Sequence, residues 1–306
     1  MCIRDRYLSA RYARNLGLPL VEVQHHHAHI ASVMAEHGRQ KDVIGLACDG
    51  TGYGEDGAVW GCEFMKAGLD GFERLGHLRY VRLPGGDAAV KDADRSAYSH
   101  MVEAFGGEDD LPPTDVLERL GEKKLSVLRQ MVARGVNSPW TSSLGRLFDA
   151  ASAIAGVVHT AHYEAQPAIE FEAAAASGIE EAYPFEVAGK GDAFIIDPRP
   201  MIRRLALDAA AATPKGVMSA RFHNGVAAFL AEAARFARDR TGLGVVALSG
   251  GVFQNEYLLK RLYRLLRANG FRVLVHREVP ANDGCIALGQ AAVAAERVRR
   301  GLLKLE

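Results

Sequence analysis

Cysteine, tryptophan and any surplus of charge are what this chain lacks. Its four cysteines, Cys2, Cys48, Cys62 and Cys285, form no C-x-x-C pair. They read as small core residues or free thiols of a reducing cytoplasm. Lys+Arg and Asp+Glu both number 37, so no net field draws the protein to nucleic acid or to a membrane surface. No apolar run approaches the roughly 18 residues of a spanning helix, and no secretory h-region opens the chain. The expectation is a cytoplasmic protein with neither a membrane nor a nucleic-acid partner. What is present is ordinary for a globular protein: 306 residues, 48% hydrophobic and 24% charged, enough for one large domain or two lobes.

Periodicity organises the chain. A short helix over about 7–16 leads through "LPLVEVQ", an expected strand, to a histidine-rich helix. Residues 43–67 read as strand, glycine-rich turn, strand, and "ERLGHLRYVRL" as a further strand ending at "PGGD". Residues 93–180 are mainly helical, with a break at "NSPWTSS". A short β segment over 184–200 is followed by a long helix (216–241), the strand "GVVALSGG", a helix from Asn255, the strand "FRVLVH" and a last helix over 284–300. Strands alternating with helices in the last hundred residues indicate parallel β-α units and an α/β class.

"VQHHHAHIASVMAEHG", residues 23–38, is the most unusual stretch. At 100° per residue Ile30, Val33 and Met34 share one side of a helix, while His25, His29, Ser32 and Glu36 share the polar face. His26 points to the apolar side and His27 to its edge. His25 and His29 form an i, i+4 pair able to hold one ion between two imidazoles. No Glu follows the first histidine, so this is not a zincin. The bland alternative is helix surface or satisfied core histidine. A displaced tag does not fit an amphipathic segment with natural-looking flanks.

Two loops at strand ends accompany it. In "ACDGTGYGEDG" a buried strand ends at Asp49. Gly50, Gly52 and Gly54 would let phosphate oxygens approach the backbone, and Thr51 offers a hydroxyl. Asp49 can take a metal or orient a water and is the candidate catalytic residue. A ligand-free glycine hairpin is the alternative, and no G-K-[ST] makes a P-loop. In "ALSGGVFQNEYLLKRL" the turn Ser249-Gly250-Gly251 precedes a helix opening near Asn255, an anion-cradling arrangement. Asp283 in "PANDGCIALGQA" is either an N-cap or a further oxygen ligand. Two glycine loops, one in each half, suit a nucleotide held between them.

Together "YLSARYA", "HHHAH", "DGTGYGEDGAVWGCEF", "RLPGGDAAV", "TSSLGRLFDAASAIAG", "ALSGGVFQN" and "PANDGCIALGQA" resemble the carbamoyltransferase branch of the actin/Hsp70-like ATPase superfamily. Within it, they resemble the C-terminal transferase domain of the HypF family, from about Tyr7 to about Arg300. The resemblance implies a two-lobed α/β fold with nucleotide between the lobes. Residues 7–92 would be the remainder of a first lobe truncated at its N-terminus, 93–301 the second lobe, and 1–6 a non-native-looking start. It also implies a mononuclear iron or zinc on His25, His29, Asp49 and Asp283. Nucleotide contacts would come from Gly50, Thr51, Gly52, Asp149, Ser249, Gly250, Gly251 and Asn255. The implied activity passes a carbamoyl group from carbamoyl-adenylate, made from ATP, to the C-terminal cysteine of a HypE-like acceptor in [NiFe] hydrogenase maturation.

Departures qualify the match. "KDADRSAY" stands where the family carries a basic, Trp-containing stretch, and the adenylate-forming (YrdC-like) domain is missing, so only the transfer half is expected. The rival readings are a small-molecule O-carbamoyltransferase, a tRNA threonylcarbamoyl transferase (disfavoured by the neutral charge) and a non-catalytic metal- or nucleotide-binding fragment.

Overall fold

The computed structural model describes residues 8–18, 20–189 and 193–302. The 1–6 start, Cys2 and residues 190–192 of the expected β segment lie outside the described residues. The strands are β1 (Val43–Tyr53), β2 (Val59–Ala67), β3 (Phe72–Leu78), β4 (Val81–Arg82), β5 (Trp140–Thr141), β6 (Glu186–Ala188), β7 (Phe194–Asp197), β8 (Val245–Ser249) and β9 (Arg272–Leu274). All nine join one sheet ordered β6-β7-β3-β2-β1-β8-β9, with β5 on β2 and β4 on β5. β1 is antiparallel to β2 and parallel to β8, so the expected parallel β-α units lie beside an antiparallel meander.

The sheet runs across the expected boundary between residues 92 and 93. Strands from 43–82 and from 245–274 are hydrogen-bonded neighbours, so segments 7–92 and 93–301 share one sheet. β1 shows why its run "VIGLAC" is apolar throughout. Ile44, Leu46 and Cys48 pack on one face, while Val43 and Ala47 pack on the other. A strand covered on both faces has no polar side to alternate.

The helices are α1 (Leu8–Asn15), α2 (His25–Glu36), α3 (Asp87–Lys91), α4 (Ala93–Phe105), α5 (Asp115–Arg134), α6 (Leu144–Ile154), α7 (Gln166–Ala173), α8 (Arg199–Ala210), α9 (Lys215–Thr241), α10 (Glu256–Ala268) and α11 (Ile286–Arg299). Residues of α4, α6, α8, α9 and α10 build the larger core on one face of the sheet, whereas α2 and α11 close the other. Among the described residues no helix is long and apolar enough to cross a membrane.

Local chemistry sets the ends of the elements. Gln24 caps α2 by accepting the His27 N–H at 2.9 Å, so residues 20–24 form an irregular lead rather than the expected strand. Ser143 caps α6 through the Arg146 N–H, and Asn255 caps α10 through the Leu258 N–H. Leu258, Leu262 and Leu266 then fall on one buried stripe of α10. The pattern reading passed over α8. Pro200 near its start suits a first helical turn, where its missing N–H has no intrahelical partner to lose.

α2 and α11 cross at a backbone-to-backbone contact. A Cβ on Gly289 would lie 1.8 Å from the Ala28 carbonyl oxygen. Gly289→Ala therefore forces α11 away from α2. Overpacking of this kind costs about 1–3 kcal/mol, against about 1 kcal/mol returned by alanine's helix propensity. We expect a lower urea midpoint; an unchanged midpoint would show that the two helices separate freely.

Candidate metal and nucleotide site

Three separate segments converge on the N-terminal turns of α2. Helical spacing stacks His25 and His29 one turn apart. β1 delivers Asp49 at an irregularity in its pairing with β2, between Cys48 and Gly52. A short 3-10 turn (Asp283–Cys285) delivers Asp283, with Asn282 taking the capping role by accepting the Gly284 N–H at 3.0 Å. His25 Nε2 lies 3.1 Å from Asp49 Oδ2 and 3.7 Å from Asp283 Oδ1. His29 Nε2 lies 3.5 and 3.4 Å from the same two oxygens.

These spacings test the fit of an ion directly. A tetrahedral ion with bonds of about 2.1 Å holds its ligand atoms roughly 3.4 Å apart. All four donor atoms lie within 4.8 Å of one another. His29 Nε2 is buried without a hydrogen-bond partner, an arrangement that costs about 1–3 kcal/mol if nothing occupies it. The two-nitrogen, two-oxygen donor set suits zinc or iron.

Electrostatics agree with the geometry. Burial alone would raise the Asp49 carboxyl, but the adjacent His25 and His29 imidazoles outweigh it and hold it well below the usual carboxylate range. Burial lowers His29, with Asp49 pulling the other way, which favours the neutral ring that a metal needs. The remaining histidines have structural partners. His27 Nε2 meets the Gly68 carbonyl at 2.7 Å, and His26 Nδ1 meets Gln24 at 3.3 Å. The face expected to be polar is therefore buried: His25, His29 and Ser32 turn into the interior, not to water.

A cleft of about 820 Å³ opens from this cluster. Its walls include Asp49, Gly50 and Thr51 from the hairpin, Arg146 and Asp149 from α6, and Gly251 and Asn255 before α10. Ser143 ties the start of α6 to the hairpin by donating to the Gly50 carbonyl at 2.5 Å. Asp49 joins cluster to cleft, because its Oδ1 accepts the Gly251 N–H at 3.2 Å while Oδ2 faces the histidines. Arg146 Nη1 stands 2.8 Å from Asp149 Oδ2 without hydrogen-bonding alignment, so buried N–H groups of Arg146 remain unpartnered at the wall.

Of the expected site residues, the structure unites His25, His29, Asp49 and Asp283, and puts Gly50, Thr51, Asp149, Gly251 and Asn255 on the cleft. Three expected nucleotide contacts lie elsewhere. A Cβ on Gly52 would meet the His25 and His26 rings at 2.4–2.6 Å, so its bareness serves histidine packing. Gly250 has φ +114, and a Cβ there would lie 2.0 Å from the Cys48 carbonyl. Ser249 is fully buried, its hydroxyl 3.0 Å from His29 Nδ1. Arg146 was not singled out from the sequence. Its signal was the Ser143 cap with Arg146 and Asp149 one turn apart.

Asp149 carries a measurable signature. Burial raises its carboxyl to about 6, against the pull of Arg146. A raised acid holds its proton longer folded than unfolded, so its contribution to stability falls as pH rises from about 4 to 6. Relative to wild type, Asp149→Asn is expected to gain about 2 kcal/mol between pH 4.5 and 7, read from urea unfolding at each pH. A pH-independent difference would contradict this assignment.

The comparisons with known proteins point the same way. Residues 45–290 match the family described as "Carbamoyltransferase, Kae1-like Domain, second subdomain", and residues 3–36 match "HypF Kae1-like domain". Carbamoyltransferase HypF of Synechocystis sp. is 37% identical over 93% of this chain and 38% of its own length. The Carbamoyltransferase HypF homolog of Cupriavidus necator is 38% identical over 95% of this chain and 74% of its own length. The crystal structure of full-length HypF in the phosphate- and nucleotide-bound form superposes with a TM-score of 0.90 at 42% identity, over 96% of this chain and 38% of that one. The chain thus spans about two fifths of the length of most curated relatives it matches. On these matches the chain belongs to the HypF carbamoyltransferase family.

Proposed function

We propose that this chain carries out the transfer half of carbamoyl delivery in [NiFe] hydrogenase maturation, in the cytoplasm. In this reading it takes carbamoyl-adenylate and passes the carbamoyl group to the C-terminal cysteine of a HypE-like acceptor. The observation that carries the reading is a four-donor cluster at one end of a nucleotide-sized cleft, joined to it by Asp49. Carbamoyl-adenylate would come from ATP on a YrdC-like domain outside these residues, in keeping with the chain's share of its relatives' length.

His25, His29, Asp49 and Asp283 would hold the iron or zinc. The ion, when bound, supplies Lewis-acid polarisation of a phosphate or carbamoyl oxygen. The chain's own residues do the rest. Gly50, Thr51 and Gly251 leave the wall without bulk where phosphate oxygens must come close to backbone. Arg146 offers unpartnered guanidinium N–H groups to the same anion, and Asp149 and Asn255 sit where ribose hydroxyls can be bound. The acceptor sulfur forms a bond to the carbamoyl carbon, the bond from that carbon to the phosphate oxygen breaks, and AMP departs with the electron pair. A thiolate needs no general base here.

The test begins with metal and nucleotide. Elemental analysis of anaerobically purified wild type should show near-stoichiometric iron or zinc, lost in His25→Ala/His29→Ala together with most of the ATP affinity. Added carbamoyl-adenylate should then carbamoylate a HypE C-terminal peptide. A folded wild type with neither metal nor ATP binding overturns the proposal. Binding without transfer leaves a non-catalytic binder, and transfer only to hydroxylated small molecules makes it an O-carbamoyltransferase.

A further inference from the structure

Behind His29 runs a hydrogen-bonded chain in which every group has a defined role. His29 Nδ1 lies 3.0 Å from Ser249 Oγ, Ser249 Oγ lies 2.9 Å from His276 Nε2, and His276 Nδ1 lies 3.0 Å from Glu36 Oε2. The other oxygen, Glu36 Oε1, accepts the consecutive backbone N–H groups of Arg277 (2.9 Å), Glu278 and Val279 (3.1 Å). Such a run of N–H groups is an anion cradle. Glu36 and His276 side chains are 6% and 5% exposed, and Ser249 is fully buried. Glu36 closes α2 two turns beyond His29, so one helix supplies both ends of the chain.

The direction of each bond follows from counting protons. Glu36, held by three N–H donors and His276, is ionised, with its carboxyl drawn down to about 2 although burial works the other way. An ionised carboxylate only accepts, so His276 must carry its proton on Nδ1. Burial lowers His276 despite Glu36, which favours the neutral ring, and a neutral ring leaves Nε2 as an acceptor. Ser249 must then give its single proton to His276. Its rival acceptors are weaker: the Ala281 carbonyl is 3.5 Å away and already takes the Gly250 N–H, and the Cys285 sulfur is 3.7 Å away. The Ser249 oxygen thus turns a lone pair to His29 Nδ1, which must be protonated. Cys285 Sγ, 3.3 Å from the same nitrogen, is a second, weaker acceptor.

We infer that Glu36, His276 and Ser249 are positioning residues that fix His29 in the tautomer whose Nε2 lone pair faces Asp49 and Asp283. The inference rests on the reading of His25, His29, Asp49 and Asp283 as a metal site. A serine–histidine–carboxylate hydrolase is not what this chain forms, because the Ser249 hydroxyl is enclosed and already engaged with His29. An acid at this distance acts through the relay: ligand histidines keep their second nitrogen bonded, and breaking such partners commonly costs 10–100-fold in metal affinity.

Isosteric replacement separates this role from packing. In Glu36→Gln the backbone cradle retains the carbonyl oxygen, so the amide N–H₂ is turned to His276. His276 then protonates on Nε2, the Ser249 proton turns to His29, and His29 bears its proton on the metal side. We expect Glu36→Gln to weaken Zn²⁺ affinity at least tenfold by chelator competition, measured on the folded variant, with a urea midpoint lowered by loss of the ionised carboxylate's bonds to the cradle. Ser249→Ala should match it, and the two changes should be non-additive, because either one cuts the relay. In His276→Gln the side-chain amide can donate to Glu36 and accept from Ser249, so this variant should retain most of the affinity that His276→Leu loses. Wild-type affinity in Glu36→Gln, additive losses, or equal losses in both His276 variants would overturn the inference. Failure of wild type to bind zinc, or binding that survives His29→Ala, would overturn the metal reading itself and the inference with it. Should Glu36→Gln not fold, the two His276 variants decide alone.

Discussion

Burying residues 25–34 takes four imidazoles out of water within five positions, and much of the architecture near the sheet finds partners for them. A buried polar ring without a bond costs more than a hydrophobic one gains. His27 reaches a backbone carbonyl across 41 residues, His26 turns to Gln24, and His25 and His29 face two carboxylates. Room for this density comes from missing side chains. Gly52 lies against His25 and His26, and Gly289 lets α11 press on the Ala28 carbonyl. The helix is fixed by steric necessity before any ligand is considered.

Charge then selects what the centre holds. Asp49 stays ionised in a site where His29 is pushed towards neutrality, and Asp283 adds a second carboxylate. Two acidic groups beside neutral rings leave negative charge that is largely buried on Asp49 and partly exposed to the cleft on Asp283. A divalent cation held there, as proposed, would neutralise that charge and make the neighbouring cleft hospitable to phosphate. The unpartnered N–H groups of Arg146 add to that field from the opposite wall.

Features carried by local spacing were legible in the sequence. The i, i+4 histidine pair and the last β-α units depend on residues close together in the chain, and the fold keeps them, whereas β1 runs on past Asp49 to Tyr53. Motif resemblance supplied Asp283 as a candidate ligand where local chemistry also allowed an N-cap, and the cap falls to Asn282. What escaped was non-local. Ser249 and Gly250 belong to a glycine turn on paper, yet the pairing of β8 with β1 turns one towards His29 and presses the other on Cys48. "LPLVEVQ" has strand character, but Gln24 is claimed as a helix cap. The pairing of β1 with β8, such as Ile44 with Val246, is likewise non-local.

Asp49 shows how metal and nucleotide become one problem. Its Oδ2 faces His25 and His29, while its Oδ1 holds the Gly251 N–H of the loop that lines the cleft. A carboxylate is rigid and planar, so rotating it to suit an ion moves the oxygen that anchors the loop. Were an ion and a nucleotide both bound as proposed, any preference the ion imposed on that plane would be felt by the nucleotide and returned by the same factor, since coupling free energies are reciprocal. The segments that meet here, residues 25–29, 49 and 283, also join only when the sheet and the α2–α11 contact are complete. A ligand bound there acts on the folded chain alone and stabilises it by mass action, about 4 kcal/mol at a thousandfold excess over its Kd. On the proposed reading, fold, ion and nucleotide would thus be linked through one side chain within β1.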